Sequence, residues 1–206
     1  VALGDPYATR DEIKTYVKIP LADTQDDTLI DDALASVSTE IEDVCERQFN
    51  KQTSATARRF IPSSSRLAWV DDFLTTSGLA VAVDFDGDGV YETTLSGSDY
   101  ELYPVDGIMY GQPGWPFYQI RLRPRFGRCF PCGYYSLQTT AQWGWNAIPK
   151  PVKESCKIAT AETLALKDVR FGVAGYSAVG EALRVRDNPM VMKKLKRYIS
   201  DLPKVA

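Results

Sequence analysis

The chain has 206 residues, 44% of them hydrophobic and 25% charged, ordinary values for a globular protein that argue against intrinsic disorder, collagen-like repeats or a coiled coil alone. It contains no histidine, so the commonest general base, the Ser-His and Cys-His nucleophile pairs and the commonest metal ligand are all missing, and no enzymatic activity is expected. The net charge of −3 hides an asymmetry: residues 1–50 carry twelve Asp or Glu against four Lys or Arg, and residues 148–206 carry six against twelve. Opposite signs at the two ends predict association, within the fold or between copies. The longest apolar run, Leu79–Val83, is far below the ~20 residues of a membrane helix, so no membrane partner is expected. The first residues lack the basic-then-apolar pattern of a secretory leader, which predicts a protein made and kept in a cytosol.

Thr9-Arg-Asp-Glu12 fits a capping box opening a short first helix with Ile13, Tyr16 and Val17 on its apolar side and Pro20 beyond its end. Ile30, Leu34, Val37, Ile41, Val44 and Phe49 then recur at helical spacing, predicting a long helix from about Asp26 to Phe49. Its other faces are acidic.

From about Ala55 to Trp145 the period becomes two and turn residues multiply. Arg58–Ile61, Leu67–Val70, Leu79–Val83, Val90–Leu95, Tyr100–Tyr103, Phe117–Arg123 and Tyr134–Trp143 read as short strands of a small antiparallel sandwich or barrel. After Pro149 the helical period returns through Val152, Cys156, Ala159, Thr163 and Leu166. Phe171–Gly180 reads as a mobile loop and Ala182–Arg186 as one unpaired strand. Asp187-Asn-Pro189 caps a last helix through Val191, Leu195, Tyr198 and Ile199, basic on its outer side. The expected fold class is therefore α+β: a helical bundle formed by the N- and C-terminal segments, 1–54 and 148–206, with a small antiparallel β domain, 55–147, inserted between them.

Three strings carry chemistry on paper. Asp84-Phe-Asp86-Gly-Asp88-Gly resembles the first half of a calcium loop, but the position of the bidentate Glu is Leu95 and the flanks read as strands, so a hairpin turn is favoured over a weak cation site. Cys129-Phe-Pro-Cys132 has thiol-redox spacing, yet it lies between strand-like runs, and a zinc site would also need Cys45 and Cys156 from apolar helix stripes. No metal or cofactor is expected. Trp143-Gly-Trp145 and Trp115-Pro-Phe-Tyr118 suit base stacking, but alternating aromatics read first as core.

Five pieces in order are Cys45-Glu-Arg-Gln-Phe49, Val-Asp-Phe-Asp-Gly-Asp-Gly at 83–89, Gln-Trp-Gly-Trp-Asn-Ala-Ile-Pro149, Phe171-Gly-Val-Ala-Gly-Tyr176, and the Leu183–Arg186 strand with its Asp187-Asn-Pro189 helix. Together they resemble the head-to-tail connector (adaptor) proteins of long-tailed bacteriophages, in the larger form with a β insert, over about residues 7–200. The resemblance implies a structural virion protein in the neck between head and tail, assembled in the bacterial host cytoplasm. Such adaptors form a ring, usually dodecameric, under the portal protein; they receive the stopper or tail-completion protein, and packaged DNA passes through without specific binding. The alternatives are the head-closure (stopper) protein of the same neck, a nucleic-acid-binding module, and a thiol- or zinc-dependent enzyme.

Two sets of candidate contact residues follow. Leu183, Arg184, Val185 and Arg186 in the arm 171–187, with Lys193, Lys194 and Arg197 on the last helix, are expected to bind a partner. Asp26, Asp27, Asp31 and Asp32, with Asp84, Asp86 and Asp88, are expected to face the ring's channel or a neighbouring copy.

Overall fold

In the computed structural model, which describes residues 4–165 and 188–200, the chain divides into two units. One is Asn50–Ala147; the other joins Gly4–Phe49 to the described residues from Ile148 onward.

Helix α1, Arg10–Val17, begins with the capping box read from the sequence. The Thr9 hydroxyl accepts from the Glu12 amide at 3.3 Å, and the Glu12 carboxylate accepts from the Thr9 amide at 3.0 Å. Lys18, in the left-handed region at φ 62°, ends it before Pro20 is reached. Its buried side is Ile13 and Lys14; Tyr16, expected there, is exposed. Helix α2, Asp27–Cys45, buries Ile30, Leu34, Val37, Ile41 and Cys45, the predicted stripe with Cys45 in place of Val44. Glu46, at φ 52°, stops it short of Phe49. Helix α3, Lys150–Ala165, buries Val152, Ser155, Cys156, Ala159 and Thr160, while Thr163 is exposed. Helix α4, Pro189–Leu195, is capped by Asn188, whose Oδ1 accepts from the Met190 and Val191 amides at 2.9 and 3.2 Å.

α3 packs against α1, α2 and α4. Phe49, fully buried, meets the rings of Tyr7 and Tyr198 edge-on, with centroids 5.7 and 5.9 Å away. The Ser200 amide donates to the Cys45 carbonyl at 2.9 Å, satisfying an acceptor at the end of α2.

In the other unit the strands are β1 (Thr56–Phe60), β2 (Leu67–Val83), β3 (Thr93–Thr94), β4 (Tyr100–Tyr103), β5 (Ile108–Met109), β6 (Gln112–Pro113), β7 (Phe117–Leu122) and β8 (Leu137–Trp143). Six of them form one sheet in the order β1-β8-β2-β7-β4, with β3 on the end of β2, and every pairing is antiparallel. β5 and β6 make a separate hairpin. Alternation is strict on β8, where Leu137, Thr139, Ala141 and Trp143 point inward. Leu137, Ala141 and Trp143 meet Ala68, Val70, Phe73, Val81 and Val83 of β2 and Ile120 and Leu122 of β7 in one core.

These elements correct the expected architecture. Among the described residues the protein is a mostly antiparallel six-stranded sheet core with four short helices, 34% helical and 27% strand, and not a helical bundle carrying a small β domain. Only α2 and α3 reach bundle length among the described helices, because left-handed residues end α1 after eight residues and α2 short of Phe49, and α4 has only seven residues. The sheet is larger than foreseen because Leu67–Val70 and Leu79–Val83 are the two ends of one 17-residue strand. Thr76–Gly78, which reads as a turn, is an exposed irregularity inside β2 where the register with β8 shifts between Thr75 and Ala80. One end of β2 pairs with β7 and the other with β8 and β3.

Candidate functional site

The acidic residues at the start of α2 are engaged within their own unit. Arg10 donates from Nε to Asp31 at 2.9 Å and from Nη1 to Asp27 at 2.8 Å. Lys14, only 2% exposed, pairs with Asp27 and donates to the Leu21 and Asp23 carbonyls. The hydrogen bond from Lys14, helped by Arg10, holds the Asp27 carboxyl below the usual carboxylate range. Of the four predicted acids, Asp26, Asp27 and Asp31 are half-buried, and Asp32 is exposed and itself makes no hydrogen bond or ion pair among the described residues. The acidic and basic ends also meet: Lys153 of α3 donates to Glu12 at 2.6 Å, and Lys157 lies 3.9 Å from the same carboxylate. Asp27 and Asp31 therefore bind Arg10 and Lys14 rather than standing bare.

The predicted basic residues are divided. Leu183, Arg184, Val185 and Arg186 lie outside the described residues, as does the rest of the arm. Lys193 and Arg197 are exposed, one helical turn apart, and with Lys150, Pro151, Glu154 and Lys194 they line an open groove of about 380 Å³ between α3 and the α4 end. Lys194 donates to Glu154 at 2.8 Å, which keeps that carboxyl below its ordinary value. Lys150, Lys193 and Arg197 make no hydrogen bond or ion pair among the described residues. The groove thus holds four cations against one carboxylate.

In the sheet unit the Asp84–Asp88 string forms the turn after β2. Asp84 is buried, its two carboxylate oxygens accepting from the Gly87 and Gly89 amides at 2.7 and 3.0 Å. Both glycines have positive φ, 82° and 86°, which the loop needs to aim those amides inward. Burial raises the Asp84 carboxyl, but the amide donors outweigh it and leave the pKa below its ordinary value. Asp86 and Asp88 are exposed, and one ligand oxygen from each of the three lies within 4.8 Å of the others. The Leu95 side chain at the twelfth position is buried and apolar. Asp84 is first a staple of its own turn.

Cys45 and Cys156 are buried in the helical unit, whereas Cys129 and Cys132 are exposed in the sheet unit. Burial pushes the Cys45 thiol up to about 12 and raises Cys156 as well. Two thiols in the native protein should therefore react quickly with a chromogenic disulfide reagent, and four after denaturation. Four fast thiols in the native state would show that the helical core opens readily.

Trp115, Trp143, Trp145 and Tyr118 are buried, and Trp145 donates to Asp72 at 3.0 Å. Their faces are engaged within the protein rather than offered to a base. One surface went unread in the sequence: Tyr103, Val105, Ile108 and Tyr110, each 44–63% exposed, gather on and beside the β5–β6 hairpin. Its two turn residues, Tyr110 and Gly111, have positive φ of 52° and 71°, the geometry usually announced by Asn-Gly or Asp-Gly. Tyr-Gly hid it.

No protein-family model matches this chain, and no curated protein matches it.

Proposed function

We propose that the chain is a head-to-tail adaptor of a long-tailed bacteriophage, a structural protein that assembles as a ring, dodecameric in the family it resembles, beneath the portal. It joins the DNA-filled head to the stopper and tail and lets DNA pass. The observation that carries this reading is the order of the five sequence pieces over nearly the whole chain. The structure is compatible with that order: segments from both ends pack as one unit, α1 and α2 with α3 and α4, and the intervening segment forms a second. Buried aromatics and the lack of histidine favour a structural role over base stacking or acid–base catalysis.

The test is sedimentation of the purified protein with portal rings of the same virus. Saturable co-sedimentation at one ring of this chain per portal supports the proposal. No binding to portal, with binding only to a completed portal–adaptor ring, would assign the chain to the stopper position instead.

A further inference from the structure

We propose that neighbouring copies in the ring join by seating the exposed face of α2 of one copy in the α3–α4 groove of the next. The inference rests on the ring reading above and adds which two surfaces meet. Asp32 and Asp43 stand on one side of α2, eleven residues or about 16 Å apart along the helix axis. Between them the exposed residues are small, Ala35, Ser36 and Thr39, so another element can approach closely. Both carboxylates lack any hydrogen bond or ion pair among the described residues.

The groove offers the opposite sign through Lys150, Lys193 and Arg197, with Lys194 already held by Glu154. The two surfaces lie on different helices, and the α2 face points away from the buried stripe that packs inward. One copy can therefore use both at once, which is the heterologous contact that closes a ring. A second copy suits the groove better than DNA does. The face of α2 brings two discrete carboxylates, Asp32 and Asp43, to the cations Lys150, Lys193 and Arg197, whereas the Glu154–Lys194 pair interrupts the continuous basic surface that a duplex backbone tracks.

The experiment uses the full chain without portal, so its outcome is separable from that of portal binding. Self-association is followed by sedimentation equilibrium at low ionic strength, up to millimolar protein. Two charge-reversed variants are compared, Lys193→Glu with Arg197→Glu, and Asp32→Lys with Asp43→Lys. All four sites are exposed, and circular dichroism should confirm unchanged helicity. Each variant alone should associate at least about tenfold more weakly than the parent, since like charges then face each other. An equimolar mixture of the two should recover association, because each reversed surface finds its complement. A parent that stays monomeric throughout overturns the proposal, as do variants that associate like the parent or a mixture that fails to recover. Binding of duplex DNA that is lost only in the Lys193/Arg197 variant, with self-association intact, would give the groove to DNA instead.

Discussion

Gly144→Ala should unfold the sheet unit or cost it about 4 kcal/mol or more, a value at the far end of single substitutions. A Cβ at this position would lie 1.7 Å from the Asn50 carbonyl oxygen, 2.8 Å from its carbon and 3.1 Å from the Lys51 Cα. All three are backbone atoms, so no rotamer change relieves the clash. The glycine also sits at φ +96°, a conformation that L side chains rarely adopt. The contact is part of the fold's closure. Lys51 bridges to Gly144, the Gln52 amide donates to the Trp143 carbonyl at 2.8 Å, and the Gly144 amide donates to the Asp72 carbonyl at 2.6 Å. All four tryptophans, Trp69, Trp115, Trp143 and Trp145, lie in Asn50–Ala147, so their fluorescence reports this unit. The variant should show red-shifted emission in buffer. Gly97→Ala, where no atom lies within 4 Å, should leave emission and stability unchanged.

Lys14→Met should destabilise the helical unit by about 2–3 kcal/mol although the new side chain is apolar and of similar length. Lys14 is a buried cation whose ammonium is accounted for by two carbonyls and Asp27, and the substitution leaves all three without that donor. The cost sits below that of a fully buried pair because Arg10 still reaches Asp27. Urea unfolding followed by helical circular dichroism measures it. The same cluster sets an acid dependence. Asp27 has its pKa lowered by folding, so its contribution is present above the unfolded carboxyl value, about 3.9, and is lost as pH falls through the folded one. Asp27→Asn should reduce stability at pH 7 and flatten its decline below pH 4.

The local signals were legible because local chemistry decides them. The Thr9–Glu12 box, the Asn188 cap and the α2 stripe each rest on residues three or four apart; the first two formed where the sequence placed them, and the stripe did so from Ile30 to Ile41. What escaped was set by partners far along the chain. Nothing in Thr75-Thr-Ser-Gly78 announces a strand, yet pairing of β2 with β8, some sixty residues away, carries the strand through it. Lys14 reads as a surface lysine until the loop carbonyls of Leu21 and Asp23 turn toward it. The acids of α2 read as a bare negative face for the same reason, since Arg10 belongs to another helix. One clue was present: Arg10 and Lys14 are four apart on α1, a basic pair positioned to meet an acidic helix. The basic groove was half legible, with Lys193, Lys194 and Arg197 read from the last helix and Lys150 and Glu154 supplied by α3.

The most direct measurement of the adaptor reading is electron microscopy of this chain mixed with portal from the same virus. The account predicts a closed ring of copies against one face of the portal, on its symmetry axis, with the DNA channel continuing through the centre. A portal with no added ring, or density for this chain elsewhere on the particle, would contradict it.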